Sequence, residues 1–395
     1  MPMYMTIFLL MLFTSCNATI LSGDNIRHVI TGAERTSVYL PQIVAQRVAL
    51  VANHTSLVNR THLVDTLLSL GINVKKVFAP EHGFRGESED GAHIASGIDN
   101  KTGIMVVSIY GQTKKPSAED LSDIDLVIFD IQEVGARFYT FISTMSLVME
   151  ACAEQGIPLM VLDRPNPNGF YVDGPLLEPG FSSFVGLHPV PVVHGMTVAE
   201  YARMVNGEGW LNNGATCDLK VIPMLNYTHQ TLYELPVKPS PNLPDMTSVY
   251  LYPSLCFFEG TMMSVGRGTA KPFRIIGHPD YTAGNIEFTP VTMMGASFNP
   301  PHKDKLCLGF DMSYLADSIL QNKRLYLQPL IDAWNFFKDN DVFFNSYFNK
   351  LSGNSELRKQ IEAGLSENEI RESWEEGLDE FKKTRKKYLL YNDQS

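Results

Sequence analysis

The feature that most constrains this chain is a series of five short apolar runs in its first half, separated by segments with helical periodicity. The runs are residues 48–52 (VALVA), 74–79 (VKKVFA), 104–110 (IMVVSIY), 126–130 (LVIFD) and 159–163 (LMVLD). Strands that lack polar alternation are strands covered on both faces, and residues 61–70 and 138–155 supply helical patterns between them. The expected fold class is therefore α/β, with a Rossmann-like, doubly wound parallel sheet over residues 23–167.

With 395 residues in all, and about 150 per domain as a guide, a second unit is expected. After Asn168 the texture changes to PLLEPG, HPVPVVHG and VKPSPNLPD, with shorter periodic segments. Residues 168–391 are read as a smaller α+β domain. Within it, residues 197–205 form a helix capped by Thr197, with Glu200 in capping-box position. Residues 356–391 place Leu357, Ile361, Leu365, Ile370, Trp374, Leu378, Phe381 and Tyr388 at spacings near three to five, the pattern of one or two amphipathic helices packed on the body.

The amino terminus reads differently. Residues 7–13 (IFLLMLF) are too short to span a membrane but match the apolar part of a secretory signal, and the FTSC that closes the run resembles a bacterial lipobox. Residues 1–16 are expected to be a signal segment, Cys16 a lipidated membrane attachment, and the protein an exported periplasmic or outer-membrane-anchored lipoprotein. Cys152, Cys217, Cys256 and Cys307 have no metal or disulfide spacing and are read as buried thiols.

Charge and missing motifs narrow the chemistry. The 32 Lys and Arg against 43 Asp and Glu give a net charge of −11, so nucleic acid is not an expected partner. An anionic ligand would need locally placed arginines. The segment after the first strand, NHTSLVNRTH, lacks the glycines of a dinucleotide site, and P-loop, HExxH and GxSxG patterns are missing. No cofactor, no metal and no obligate protein partner are expected.

Ligands of open α/β sheets sit beyond the carboxyl ends of the strands. Those ends carry Asn53-His54-Thr55, Pro80-Glu81-His82-Gly83, Tyr110-Gly111, Asp130-Ile131-Gln132-Glu133 and Asp163-Arg164-Pro165-Asn166. Glu81 is the sharpest candidate, because a rigid turn would hold its carboxyl in a crevice, where partial desolvation favours the protonated form that a general acid needs. A loop-bracing role is the alternative. Glu133 and Arg137 would share a helix face and form an ion pair if their segment were helical. Arg164 would either clamp an anion or brace Asp163. His194 would be a ligand contact or a structural histidine. Glu259 and Arg267, each beside glycines, suit a close-approaching sugar ring or a tight turn.

Seven motifs together are familiar: FAPEHGFRG from Phe78, FDIQEVGARFYTFISTM from Phe129, VLDRPNPNG from Val161, HGMT from His194, PSPNLP from Pro239, FEGTMMSVGRGTAKPF from Phe258 and YLLY from Tyr388. In this order they resemble the NamZ-type exo-β-N-acetylmuramidases. The resemblance implies a glycoside hydrolase that removes N-acetylmuramic acid from the non-reducing end of peptidoglycan-derived muramyl saccharides, with its site in the cleft between two domains. It implies that Glu81 is the catalytic acid. The second group is left among Asp130, Glu133, Glu259 and the substrate's own acetamido oxygen. Where the family often has aspartate in DIQDVG, this chain has Glu133. Asn53, His82, Arg85, Arg137, Tyr139, Asp163, Arg164, Asn166, His194, Asn242, Glu259 and Arg267 form the expected substrate-binding set, and the arginines are candidates to grip the lactyl carboxylate. Two other readings are a metal-dependent hydrolase using Asp130, Asp163, His82 and His194, and a non-catalytic lipoprotein that binds cell-wall sugars.

Overall fold

The computed structural model describes residues 28–81, 83–85, 96–339 and 342–393. The signal segment, Cys16 and His82 lie outside the described residues. The apolar runs form strands β1 (Arg47–Ala52), β2 (Asn73–Ala79), β4 (Met105–Ser108), β5 (Leu126–Asp130) and β6 (Leu159–Leu162), joined by a short β3 (Gly97–Ile98) and by β7 (Leu219–Ile222). The sheet order is β7-β6-β5-β1-β2-β4-β3, and every pairing is parallel except that of β3 with β4. Counted along the chain, the six parallel strands run 3-2-1-4-5-6 across the sheet, the order of a Rossmann fold, with its reversal between β1 and β5.

Alternation within the runs explains why both faces are covered. Val48, Leu50, Leu126, Ile128, Met160 and Leu162 point to one side, where α1 (Thr36–Ile43) and α2 (Leu63–Ser69) add Tyr39, Ile43, Leu63, Val64 and Leu67. Ala49, Val51, Val127, Phe129 and Val161 point to the other, against Met145, Val148 and Cys152 of α3 (Phe141–Gln155). The helix expected over residues 61–70 is shorter at its start. Thr61 and His62 pair with Val58 and Leu57 in a small hairpin, and His62 caps α2.

β7 lies beyond the division drawn at 167/168, so the parallel layer takes its last strand from residues that the sequence reading gave to the second unit. Its preceding helix α4 (Val198–Gly207) is capped as expected, since the Thr197 amide donates to Glu200 Oε2 at 2.9 Å. After α5 (Met246–Leu255) comes a three-stranded antiparallel sheet, β8 (Ile275–His278), β9 (Ile286–Phe288) and β10 (Cys307–Asp311), in the order β8-β10-β9. Helices α6 (Glu356–Glu362), α7 (Glu367–Glu372) and α8 (Glu375–Lys386) complete this α+β unit and bury Leu357, Ile361, Ile370, Leu378 and Phe381. The hydrophobic layer on the α3 side of the sheet runs without a break into Phe257, Phe343, Phe348 and Trp374.

Polar contacts fix the same junction. The Arg137 guanidinium donates to four carbonyls, those of Pro175, Val190, Leu351 and Ser352, at 2.8–2.9 Å. Tyr391 of the closing YLLY motif donates to Asp163 Oδ2 at 2.5 Å and accepts from the Met224 amide. Cys152, Cys217, Cys256 and Cys307 are free and buried, with Cys256 in a 3-10 turn.

Candidate active site

Glu81 follows β2 by two residues. The Gly83 amide closes back on the Pro80 carbonyl at 3.0 Å, and Gly83 has φ +77°, a conformation that glycine adopts without strain. This tight turn presents the half-buried Glu81 side chain at the wall of a cavity of about 450 Å³, within the roughly 300–1,000 Å³ range of small-molecule sites. The loops that follow the strands contribute Glu81, Tyr110, Tyr139 and Thr140 to the lining, and the start of α3 contributes Phe141. Phe184, Asn242, Tyr252, Glu259, Arg267 and Tyr347 come from the later residues. The cavity is therefore an interdomain cleft at the carboxyl edge of the sheet.

Among the described lining residues, Glu81 and Glu259 are the carboxylates and Arg267 is the cation. Tyr110 Oη donates to Glu81 Oε1 at 2.6 Å, and Thr140 Oγ1 donates to Oε2 at 2.8 Å. Elsewhere on the lining, Arg267 Nε donates to Glu259 Oε1 at 2.5 Å, and the guanidinium stands 5.1 Å from the Phe273 ring centroid. Tyr139 Oη donates to the Pro239 carbonyl at 2.9 Å, which leaves its ring to form wall. Asn242 Nδ2 is committed to the Ala296 carbonyl at 2.8 Å.

The other expected site residues that are described do not line this cavity. Most of them are closed in hydrogen-bond networks that a buried polar group requires. Asp130 is fully buried, and Arg164 grips it through Nε and Nη2 at 2.5 and 2.9 Å. Arg164 thus braces Asp130, neither clamping an anion in the cleft nor bracing Asp163 with its side chain. Asn53 Oδ1 accepts from the amide and hydroxyl of Thr55, whose hydroxyl accepts from the Gln132 amide, while Ser56 donates to the Asp130 carbonyl. Asp163 accepts from Thr197 Oγ1, the Ala199 and Arg164 amides and Tyr391. Asn166 binds the Met196 carbonyl and the Asn168 amide. Its side chain fills the place a Cβ on Gly135 would take, only 2.1 Å away, which explains the glycine there. His194 accepts from the Met196 amide, and burial pushes its imidazole down to about 3, so it is neutral. Arg85 pairs with Asp99 at 2.7 Å and with Asp65 at 3.4 Å.

The ion pair of Glu133 with Arg137 does not form. Residues 131–140 are a loop, since α3 starts only at Phe141, so the two side chains never share a helix face. Arg137 serves the carbonyls described above. Glu133 is enclosed, and burial holds its carboxyl well above the usual carboxylate range; the nearby Val134, Ile142 and Gly135 amides oppose this without closing a hydrogen bond to either oxygen. The residues that sequence reasoning did not nominate are Tyr110, Thr140, Phe184, Tyr252 and Tyr347. Tyr110 had been visible as a strand end, and Thr140 lies within the FYTFISTM words. The remaining three come from segments whose approach to Glu81 has no local signature. Among the described residues no three His, Cys, Asp or Glu side chains converge as metal ligands, because Asp130, Asp163 and His194 are each held in separate networks.

A cleft of this size, with Glu81 and Glu259 among its described lining residues, has room for a sugar and offers the paired carboxyl groups that glycosidases use. Comparison with known sequences is specific. Residues 48–247 match the amino-terminal domain, and residues 250–391 the carboxy-terminal domain, of the exo-beta-N-acetylmuramidase NamZ family. The chain belongs to that family. It is 40% identical to the peptidoglycan beta-N-acetylmuramidase NamZ of Bacillus subtilis, with 89% of each chain covered. Two crystal structures of DUF1343-family proteins from Bacteroides fragilis share the fold. One has 48% identity and a TM-score of 0.86 over 93% of this chain and all of the other. The second has 27% identity and a TM-score of 0.77 over 92% and 99%.

Two substitutions check these placements. Arg164→Met leaves the Asp130 carboxylate buried without its partner and should cost about 3–5 kcal/mol of stability in chemical denaturation; a stable variant with only a raised KM would restore the anion-clamp role. Glu133→Gln replaces the enclosed carboxyl, which burial favours in its neutral form, by an amide of the same shape. Its turnover should stay within about threefold of wild type, because general acid–base groups contribute on the order of 100-fold or more; a loss of that size would return Glu133 to the reacting groups.

Proposed function

We propose that this chain is an exo-acting glycosidase that releases N-acetylmuramic acid from the non-reducing end of peptidoglycan fragments, with Glu81 as the proton donor. The observation that carries this reading is the Glu81 carboxyl, set in the wall of a sugar-sized cleft by a turn at the carboxyl edge of the sheet. The B. subtilis relative, named for the same activity, supports it. Glu81 gives its proton to the glycosidic oxygen as the bond to C1 breaks. Glu259, the other carboxylate on the wall, or the acetamido oxygen of the substrate supports the positive charge that grows at C1 until water attacks. Arg267, the cation among the described lining residues, meets the lactyl carboxylate that separates muramic acid from glucosamine in this reading. The apolar run at residues 7–13 and Cys16 support export with acylation at that cysteine; mass spectrometry of the mature amino terminus should find Cys16 first and lipid-modified, and an unprocessed terminus would end that part of the reading.

The decisive experiment is incubation with a muramyl-glucosaminyl disaccharide, followed by identification of the sugars released. Wild type should free N-acetylmuramic acid, and Glu81→Gln should lose on the order of 100- to 10,000-fold in kcat while remaining folded. Release of no sugar, or full turnover by the Gln variant, would refute the assignment. Arg267→Lys should raise KM for a muramide about tenfold or more and hardly change KM for the matching glucosaminide, because an ammonium cannot grip a carboxylate bidentately. Equal changes for both sugars would remove Arg267 from lactyl recognition.

A further inference from the structure

Each oxygen of Glu81 accepts a hydrogen bond from a hydroxyl, Oε1 from Tyr110 at 2.6 Å and Oε2 from Thr140 at 2.8 Å. The three residues come from separate elements: the turn after β2, the end of β4, and the position just before α3. Thr140 occupies the N-cap of α3, where threonine ordinarily accepts a bond from an amide of the first turn. Here no such side-chain bond is made, and the hydroxyl reaches Glu81 instead. Tyr110 is braced by Phe184, with ring centroids 6.4 Å apart, and the Lys114 ammonium lies 4.3 Å from the Phe184 centroid on the cleft wall. A helix cap given up for a contact with a carboxylate, and an aromatic hydroxyl held against the same group, are a device for orienting Glu81.

We propose that Tyr110 and Thr140 are positioning residues for the proton donor, a hydroxyl pair that aims Glu81 and stabilises the carboxylate formed as it gives up its proton. This rests on the reading of Glu81 as the general acid. When the proton passes to the glycosidic oxygen, the electron pair of the C1–O bond goes to that oxygen and negative charge appears on Glu81. Both hydroxyl bonds strengthen as this charge grows, because a charged acceptor holds a donor more tightly than a neutral one. Water then adds hydroxide to C1 and returns a proton to Glu81, which restores the starting state. Interactions that gain strength on the way to the transition state raise kcat, with little change in KM. They also favour the ionised carboxyl, so removing one should let Glu81 keep its proton to higher pH. Among the described residues, the other charged groups lining the cavity are Glu259 and Arg267, paired directly with each other, and the Lys114 ammonium lies against the Phe184 ring.

The test is steady-state kinetics over a range of pH with two substrates, the muramyl-glucosaminyl disaccharide and an aryl muramide whose phenolate leaves with little protonation. Tyr110→Phe and Thr140→Val should each lower kcat on the disaccharide about 10- to 100-fold, with KM within about threefold. The loss on the aryl muramide should be only a few fold, and the basic limb of the disaccharide profile should move upward by about 0.5–1 pH unit. Thr140→Ser, which keeps the hydroxyl, should stay near wild type. Tyr110→Phe placed in the Glu81→Gln background should add no further loss. With folding verified by thermal denaturation, equal losses on both substrates, a loss carried by KM, or a stationary basic limb would overturn the positioning role and leave the assignment of Glu81 intact. An active Glu81→Gln enzyme would instead overturn the functional reading on which the proposal stands.

Discussion

A buried ion pair, Asp130 with Arg164, governs where this molecule can hold a ligand. It lies where the strand order reverses between β1 and β5, the place at which open α/β sheets ordinarily form their binding crevice. Two charges removed from water are tolerated only when they meet each other and their remaining donors and acceptors find partners. Arg164 therefore also binds the Leu57 carbonyl, and Ser56 binds the carbonyl of Asp130 itself. Asn53, Thr55 and Gln132 complete the network. The reversal point is filled by the protein's own polar groups, and the cleft opens farther along the same edge, at the ends of β2 and β4, where Glu81 and Tyr110 stand.

That displacement makes the site depend on the second unit. Glu81, Tyr110 and Thr140 come from the parallel-sheet half and Glu259 with Arg267 from the later residues, so the shape of the cavity depends on how the two halves are held together. Three features hold them. One hydrophobic layer continues from α3 into Phe257, Phe343 and Phe348. Arg137 holds carbonyls from three segments distant in sequence. The carboxy-terminal strap inserts Tyr391 onto Asp163 and lays its backbone amides on Glu200. Several motif residues that look chemical thus act as fasteners between the two halves, which is reason enough for polar and charged side chains to stand at those positions.

Much of the architecture was legible because it rests on short-range periodicity. The VALVA, LVIFD and LMVLD runs are strands buried on both faces, Thr197 with Glu200 caps α4, and the spacing from Leu357 to Phe381 marks packed amphipathic helices, although there are three where one or two were expected. The site was legible in part. Glu81, Tyr139, Asn242, Glu259 and Arg267 meet in the cleft, and the motif words that carry them identify the family. Arg137, Asp163, Arg164, Asn166 and His194 stand in equally distinctive words, yet they lie in the interior. A strand end delivers a polar side chain to the sheet edge, but whether it meets a ligand or another buried group depends on what covers that edge.

The sequence by itself thus determined the doubly wound sheet, the capped and amphipathic helices and the family, because each follows from neighbours a few residues apart or from contiguous words. Tertiary structure alone decided which carboxylates face the cleft and which are enclosed, that β7 joins the sheet from the far side of the apparent boundary, and that Thr140 turns from its own helix to Glu81. Those outcomes depend on which segments distant along the chain exclude water from a given group, and desolvation by distant segments leaves no periodic trace in the order of amino acids.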